Sequence, residues 1–223
     1  MFFRHVFFRE PEKLRERRIK GKRHYLSPKG NYLPSVTTVL SLLSEDGLKA
    51  WRKRVGEAEA NRVSERATKN GTIFHKVVEN YLNNKDTLKP PSQVVKKLFE
   101  QIKPELHKIN NIRAQEVNLF SDGIGIAGRV DCVAEYDGVL SIIDFKTSRK
   151  KKQKSWILSY FLQSTAYAIM FEELVGTPIN QIVVLVSAED NTIKAFVEDK
   201  AQYIEPLKEI IEDYKLRLEF EIE

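Results

Sequence analysis

The chain has 223 residues, of which 42% are hydrophobic and 30% charged, with a formal net charge of +6. That is enough apolar material for one core with elaborations, and the charge weakly favours a polyanionic partner. Cys132 is the only cysteine, which excludes an intramolecular disulfide and any four-cysteine zinc or iron–sulfur site and suits a reducing compartment. No apolar run approaches the ~20 residues of a spanning helix. Met1 to Arg9 is apolar and basic but too short for a signal peptide, and no Arg- and Ser-rich transit segment is visible. The expectation is a cytoplasmic protein, bacterial or of a phage-infected host rather than mitochondrial, with no membrane partner.

In chain order, Glu12 to Arg23 is basic and polar, read as a mobile arm or an exposed helix. Gly30 to Ser35 is a turn, and Val36 to Leu43 a helix that Ser35 or Thr37 could cap. Leu48 to Lys69 reads as a long polar helix, punctuated by Gly71. Thr72 to Leu82 follows as a second helix with Ile73, Phe74, Val77, Val78 and Tyr81 as its apolar members. Ser92 to Ile109 is a helix that Pro104 should kink or restart. Glu116 to Phe120, Ile124 to Glu135 and Val139 to Lys146 are rich in β-branched residues. They are separated by Asp122-Gly123 and Asp137-Gly138, dipeptides favoured in two-residue hairpin turns, so a three-stranded meander is predicted. Ser155 to Val175 is a helix, Ile182 to Ser187 and Thr192 to Val197 are strands, and Ala201 to Glu219 is a closing helix. The class is α/β or α+β, a mixed sheet flanked by helices.

The chemistry concentrates in Gly128-Arg129-Val130-Asp131 and, one hairpin later, Ile142-Ile143-Asp144-Phe145-Lys146. Strand side chains alternate, so Asp144 and Lys146 share a face while Phe145 points into the other layer. If Asp131 lies on the neighbouring strand, two carboxylates converge on one hard divalent cation such as Mg²⁺, with Lys146 beside it to position a water or stabilise negative charge. A D-x-K pair is also an ordinary solvated strand face. His75 opens an amphipathic helix, where a lone histidine is commonly a satisfied core residue; as a ligand it would admit Mn²⁺ beside Mg²⁺. Glu79, one turn later, either orients the imidazole or is solvated. Glu116 stands at a strand edge, where glutamate is often merely exposed. The run Arg149-Lys150-Lys151-Lys152-Gln153-Lys154 is either a solvated loop or a backbone contact for nucleic acid. Trp51, Trp156 and Tyr160 are either stacking platforms or packing, and packing is preferred for two of the three.

From about Tyr32 to Phe171 the chain resembles the RecB-type branch of the PD-(D/E)XK nucleases, in the part that holds mitochondrial genome-maintenance and related phage exonucleases. The matching segments are Leu33-Pro34-Ser35-Val36-Thr37-Thr38-Val39-Leu40 with Trp51, then Gly71-Thr72-Ile73-Phe74-His75 (G-x-x-x-H), G-x-x-D ending at Asp131, D-x-K at Asp144 and Lys146, and Gln163-Ser164-Thr165-Ala166-Tyr167 (Q-x-x-x-Y). The resemblance implies a restriction-endonuclease-like core. It implies His75, Asp131, Asp144 and the Phe145 carbonyl as metal ligands, Glu116 among the catalytic acids with Asp131, Asp144 and Lys146, and Mg²⁺ or Mn²⁺ as cofactor without an iron–sulfur cluster. Gln163 and Tyr167 would face DNA, joined by Ser148, Arg149, Lys150 and Lys154. The expected protein is one nuclease domain over 1–223: an arm over 1–30, a helical part over 31–110, a catalytic sheet and helix over 111–200, and a C-terminal helix over 201–223. Its activity would be that of a DNA exonuclease preferring single strands or free ends, in replication, repair or recombination. Alternatives are a double-strand exonuclease or flap endonuclease, and an inactive DNA-binding subunit.

Overall fold

A computed structural model describes residues 1–85 and 92–220; the end of the expected 201–223 segment lies outside the described residues. The centre is a five-stranded mixed sheet in the order β4 (Ile109–Ser121), β5 (Ile126–Tyr136), β6 (Val139–Ser148), β7 (Gln181–Ala188), β8 (Ile193–Asp199). The expected α/β class with a mixed, helix-flanked sheet is what the chain adopts. All neighbouring pairs are antiparallel except β6 and β7, which run parallel. A parallel pair needs a crossover, and α5 (Leu158–Val175) supplies it.

Alternation on the strands sorts the core into two layers. Val130, Ile142, Ile182 and Val184 pack under α1 (Val36–Leu40), α5 and α6 (Ile204–Phe220). Cys132, Ile143, Phe145, Val183 and Leu185 face Phe74, Val77, Leu98 and Phe99 of α3 (Glu57–Leu82) and α4 (Gln93–Leu106). Both faces of β6 and β7 are therefore apolar, as expected for strands buried between helices. Ser35 caps α1, its hydroxyl accepting the Thr38 N–H at 3.1 Å, one of the two caps foreseen.

The N-terminal expectation is corrected. Residues foreseen as an arm or helix form an antiparallel ribbon, β1 (Arg15–Ile19) and β2 (Lys22–Leu26), which pairs onward with β3 (Tyr32–Pro34). The turn is Lys20-Gly21, with φ of 47° and 76°, a two-residue hairpin without the usual Asn-Gly or Asp-Gly signature. No residue of β1 is buried, so it carries no alternating pattern to read.

Four boundaries also move. The long helical region breaks at Gly56, whose φ of 86° separates α2 (Glu45–Val55) from α3. Gly71 lies inside α3 without ending it, because burial of Phe74, Val77 and Val78 outweighs a glycine cost of about 1 kcal/mol. Pro104 falls in the last turn of α4, which runs unbroken from Gln93 to Leu106, so the helix does not restart there. The chain turns directly into β4, which begins seven residues before Glu116. Asp137-Gly138 does make a two-residue turn, with φ of 49° and 81°. Asp122-Gly123 instead opens a four-residue loop between Ser121 and Ile126, its Asp122 carboxylate accepting from Ser27 at 2.9 Å and Asn31 at 3.0 Å.

Candidate active site

The sheet register lines up three acids. Gln115 pairs with Cys132 and Val117 with Val130, which sets Glu116 opposite Asp131. Cys132 pairs with Ile143, which sets Asp131 opposite Asp144 one step further. There the β5–β6 ladder ends, and the Asp131 carboxylate takes the place of a strand partner: its Oδ2 accepts the Phe145 backbone N–H at 2.9 Å. Glu116 has φ of +54°, a left-handed backbone that glutamate adopts at a cost of order 1–3 kcal/mol.

α3 brings the fourth group. Its apolar stripe of Phe74, Val77 and Val78 is buried against the sheet, and the neighbouring His75 is presented beside the acids. Its Nδ1 lies 3.5 Å from Asp131 Oδ2 and 3.9 Å from Glu116 Oε1. One donor atom each from His75, Glu116 and Asp131 fit within 4.8 Å of one another. The other oxygen of Glu116 receives Arg129 Nε at 2.9 Å.

Asp144 is 1% exposed. Its Oδ1 accepts Lys146 Nζ at 2.5 Å, while Oδ2 is buried with no hydrogen-bond partner among the described residues. Lys146 Nζ also reaches Gln163 Oε1 at 3.5 Å and sits 5.1 Å from the Tyr160 ring centre. The ring of Phe145 is buried in the α3–α4 layer, on the face opposite its neighbours, as alternation requires.

Burial and neighbouring charge set the protonation states. Burial lowers the His75 pKa, but the facing carboxylates, Asp131 first and then Glu116, more than reverse this and bring it to about 10. Burial raises Asp131, yet His75, Lys146 and the Phe145 N–H hold it below the usual range. Asp144 is pushed up to about 6 by burial and by Asp131, against the pull of Lys146. Lys146 loses by burial and gains more from Asp144 and Asp131, so it stays charged. A donor set of one imidazole and clustered carboxylates, with an orphaned buried oxygen behind it, fits a hard divalent cation.

The acids, His75, Lys146, Gln163 and Tyr167 line a cavity of about 700 Å³; Asp144 lies behind its wall. Tyr167 itself is 3% exposed and belongs to the core. Its ring rests on Gly128, where an added Cβ would stand 2.8 Å from both Cε1 and the hydroxyl oxygen. Gly128→Ala is accordingly expected to lower stability by about 1–3 kcal/mol and to impair cleavage, readable as a lower melting temperature alongside a nuclease assay.

A second, larger cavity of about 890 Å³ adjoins the first across Asn70-Gly71 and Lys146-Thr147. α2 and α3 contribute Trp51, Arg54, Arg62 and Arg66 to it. The β6–α5 segment contributes Ser148, Arg149, Lys150, Lys151, Lys152, Trp156 and Tyr160. All three aromatics left open in the sequence thus line this cavity, and Trp156 is 63% exposed. Lys154 does not line either cavity; it pairs with Glu198 at 2.7 Å. Glu79 bonds Lys76 at 2.8 Å.

With this geometry in place, comparison with known proteins identifies the family. A model of the PD-(D/E)XK nuclease superfamily matches residues 91–221. The chain belongs to the PD-(D/E)XK nuclease superfamily. Its relatives include the human mitochondrial genome maintenance exonuclease 1, 32% identical over 145 residues that make up 60% of this chain and 40% of the human protein. The mouse counterpart is 31% identical over 131 residues, 55% of this chain and 39% of that one. The chain thus spans about two fifths of the length of these relatives. A crystal structure from Eubacterium rectale, of a candidate exonuclease, shares the fold at a TM-score of 0.50 and 13% identity, covering 68% of this chain and 65% of that one.

His75, Asp131, Asp144, Lys146 and Gln163, singled out from separate segments of the sequence, thus sit together in space. Three neighbours were not foreseen: Arg129 on Glu116, the Phe145 N–H on Asp131, and Tyr160 beneath Lys146. Arg129 alone left a trace in the sequence, through the alternation that puts it two residues from Asp131.

Proposed function

We propose that this nuclease is a divalent-metal-dependent DNA exonuclease acting on single strands or free ends, in DNA replication, repair or recombination. The observation that carries the proposal is the convergence of His75, Glu116 and Asp131 within 4.8 Å beside the Asp144–Lys146 pair. His75, Asp131 and Glu116 would hold Mg²⁺ or Mn²⁺, with Asp144 behind them and the Phe145 carbonyl as a further oxygen donor. When bound, the ion would supply Lewis-acid polarisation of a phosphate and a water of lowered pKa. Lys146, charged and fixed by Asp144 and Gln163, would face the negative charge that develops at the scissile phosphate. The basic cavity beside the centre, with its exposed Trp156 and its Tyr160, suits an unpaired strand: guanidinium and ammonium groups meet phosphates while rings accept bases. Arg149 and Lys150 join the DNA contacts on this reading, with Ser148 at the edge. Gln163 and Tyr167 shape the wall behind Lys146.

No helix among the described residues is long and apolar enough to cross a membrane. The lone buried Cys132 accords with work in a reducing, cytosolic compartment. We further read the whole chain as one nuclease unit.

The test is cleavage of labelled linear single-stranded, linear duplex and circular single-stranded DNA with Mg²⁺, with Mn²⁺ and with chelator. Linear single strands should be degraded only with metal, and circles should survive. Cleavage of circles would refute the need for an end, and binding without cleavage under every metal condition would favour a DNA-binding subunit.

A pH dependence follows from His75. Its proton is held to a pKa of about 10 in the ion-free protein, and an ion taking the imidazole must displace it. Apparent Mn²⁺ affinity should therefore rise with pH across the neutral range, by up to about tenfold per unit for one proton released. Calorimetry in buffers of different ionisation enthalpy reads the release directly, and a pH-independent affinity would contradict His75 as a ligand.

A further inference from the structure

Charge is distributed unevenly along the chain. Residues 13–23 hold seven Lys and Arg against one acid, Glu16, a surplus of six that equals the chain's whole formal net charge of +6. Everything outside this segment balances to zero. The segment folds as the β1–β2 ribbon, in which Arg18 lies opposite Arg23 and Arg17 opposite His24.

The ribbon's cationic side chains occupy both of its faces. Cross-strand partners share a face, so Arg18 and Arg23 lie with Tyr25, and Arg15 and Arg17 lie on the reverse. Tyr25 and Arg23 line the cavity that holds His75, Glu116 and Asp131, so the ribbon rises from the rim of the candidate centre. The basic cavity with Trp156 adjoins that centre across Gly71 and Thr147, residues on neither strand of the ribbon. β1 buries no side chain and joins the sheet through β2 alone. Packing therefore does not dictate its arginines. Charge on an outer strand can serve simply to discourage edge-to-edge association, but that purpose needs neither this density nor arginine on both faces.

We propose that the β1–β2 ribbon is a docking surface for duplex DNA, so that the preferred substrate is a single-stranded tail attached to a duplex. This rests on the nuclease reading for the tail and adds the duplex. Beyond His24, where the pairing of β2 with β3 begins, the turn end of the ribbon is two strands wide, a width that a major groove admits, and arginines on both of the ribbon's faces meet the phosphates on the two flanking walls. The tail occupies the aromatic and basic cavity while the duplex is held at the opposite rim.

The test reads binding without turnover, so that failure of the nuclease reading and failure of this one are separable. In Ca²⁺ buffer, fluorescence anisotropy compares a tailed hairpin duplex with the same tail alone, using the full chain and a variant carrying Arg15→Thr, Arg17→Thr and Arg18→Thr. Threonine suits an exposed strand, and circular dichroism with a melting curve confirms the fold. The parent protein should bind the tailed duplex more tightly than the tail. The variant should lose that preference, with roughly tenfold or greater weakening for the tailed duplex and a salt slope shallower by about two to three units. An unchanged affinity and slope for the tailed duplex would overturn the proposal, and so would equal weakening for tail and tailed duplex. Should Arg17, which bonds Tyr32 at 3.3 Å, prove needed for folding, Arg15→Thr with Arg18→Thr keeps the comparison intact.

Discussion

Lys146→Ala is expected to lower single-turnover cleavage by about 100- to 1,000-fold, the cost of removing one preorganised donor from a transition state, while DNA affinity stays within about threefold. Lys146 Nζ is held 2.5 Å from Asp144 and 3.5 Å from Gln163, so its direction is fixed before substrate arrives. Its position on β6, the middle strand of the five-stranded sheet, keeps it from sweeping the DNA surface as an ordinary lysine would. The substitution also strips Asp144 of its counter-charge. With a pKa already at about 6, Asp144 would then take up a proton near neutrality, weakening the acid cluster further. Single-turnover rates beside anisotropy in Ca²⁺ separate the two effects, and an unchanged rate would remove Lys146 from its assigned role.

Asp131→Asn is expected to weaken Mn²⁺ binding beyond the 10–100-fold that loss of a supporting residue brings, and to abolish cleavage. Asp131 is the hinge of the cluster: one oxygen takes the Phe145 N–H at 2.9 Å and faces His75 Nδ1 at 3.5 Å. The same change removes the charge that contributes most to holding the His75 proton. The imidazole should then titrate well below 10, toward its ordinary 6.5, which an NMR titration of the ion-free variant would show. Calorimetric titration gives the affinity, and wild-type Mn²⁺ binding by the variant would contradict the assignment.

How much of this was legible depends on whether a segment's role leaves a periodic mark. Asp144-Phe145-Lys146 was legible because two-residue alternation on a buried strand dictates which side chains share a face, and Asp137-Gly138 because a turn with two positive φ values selects those residues. The neighbourhood of Asp131 and Asp144 followed from the hairpin alone. Glu116 was uncertain for a reason the fold now supplies: the turn that sets its place opposite Asp131 is a four-residue loop rather than the two-residue turn its Asp-Gly signature implies, and its left-handed backbone breaks the alternation. The β1–β2 ribbon was illegible because neither of its strands lies on the main core and its Lys-Gly turn has no strong signature. The break at Gly56 rather than Gly71 turns on tertiary burial of Phe74 and Val77, which no local propensity encodes.

Anomalous diffraction from a crystal soaked in Mn²⁺ shows whether His75, Glu116 and Asp131 grip one divalent ion beside Asp144 and Lys146. A single strong peak is expected at bonding distance, about 2.0–2.3 Å, from a His75 nitrogen and an Asp131 oxygen. A peak elsewhere, or none at full Mn²⁺ loading, would rule out this ion site.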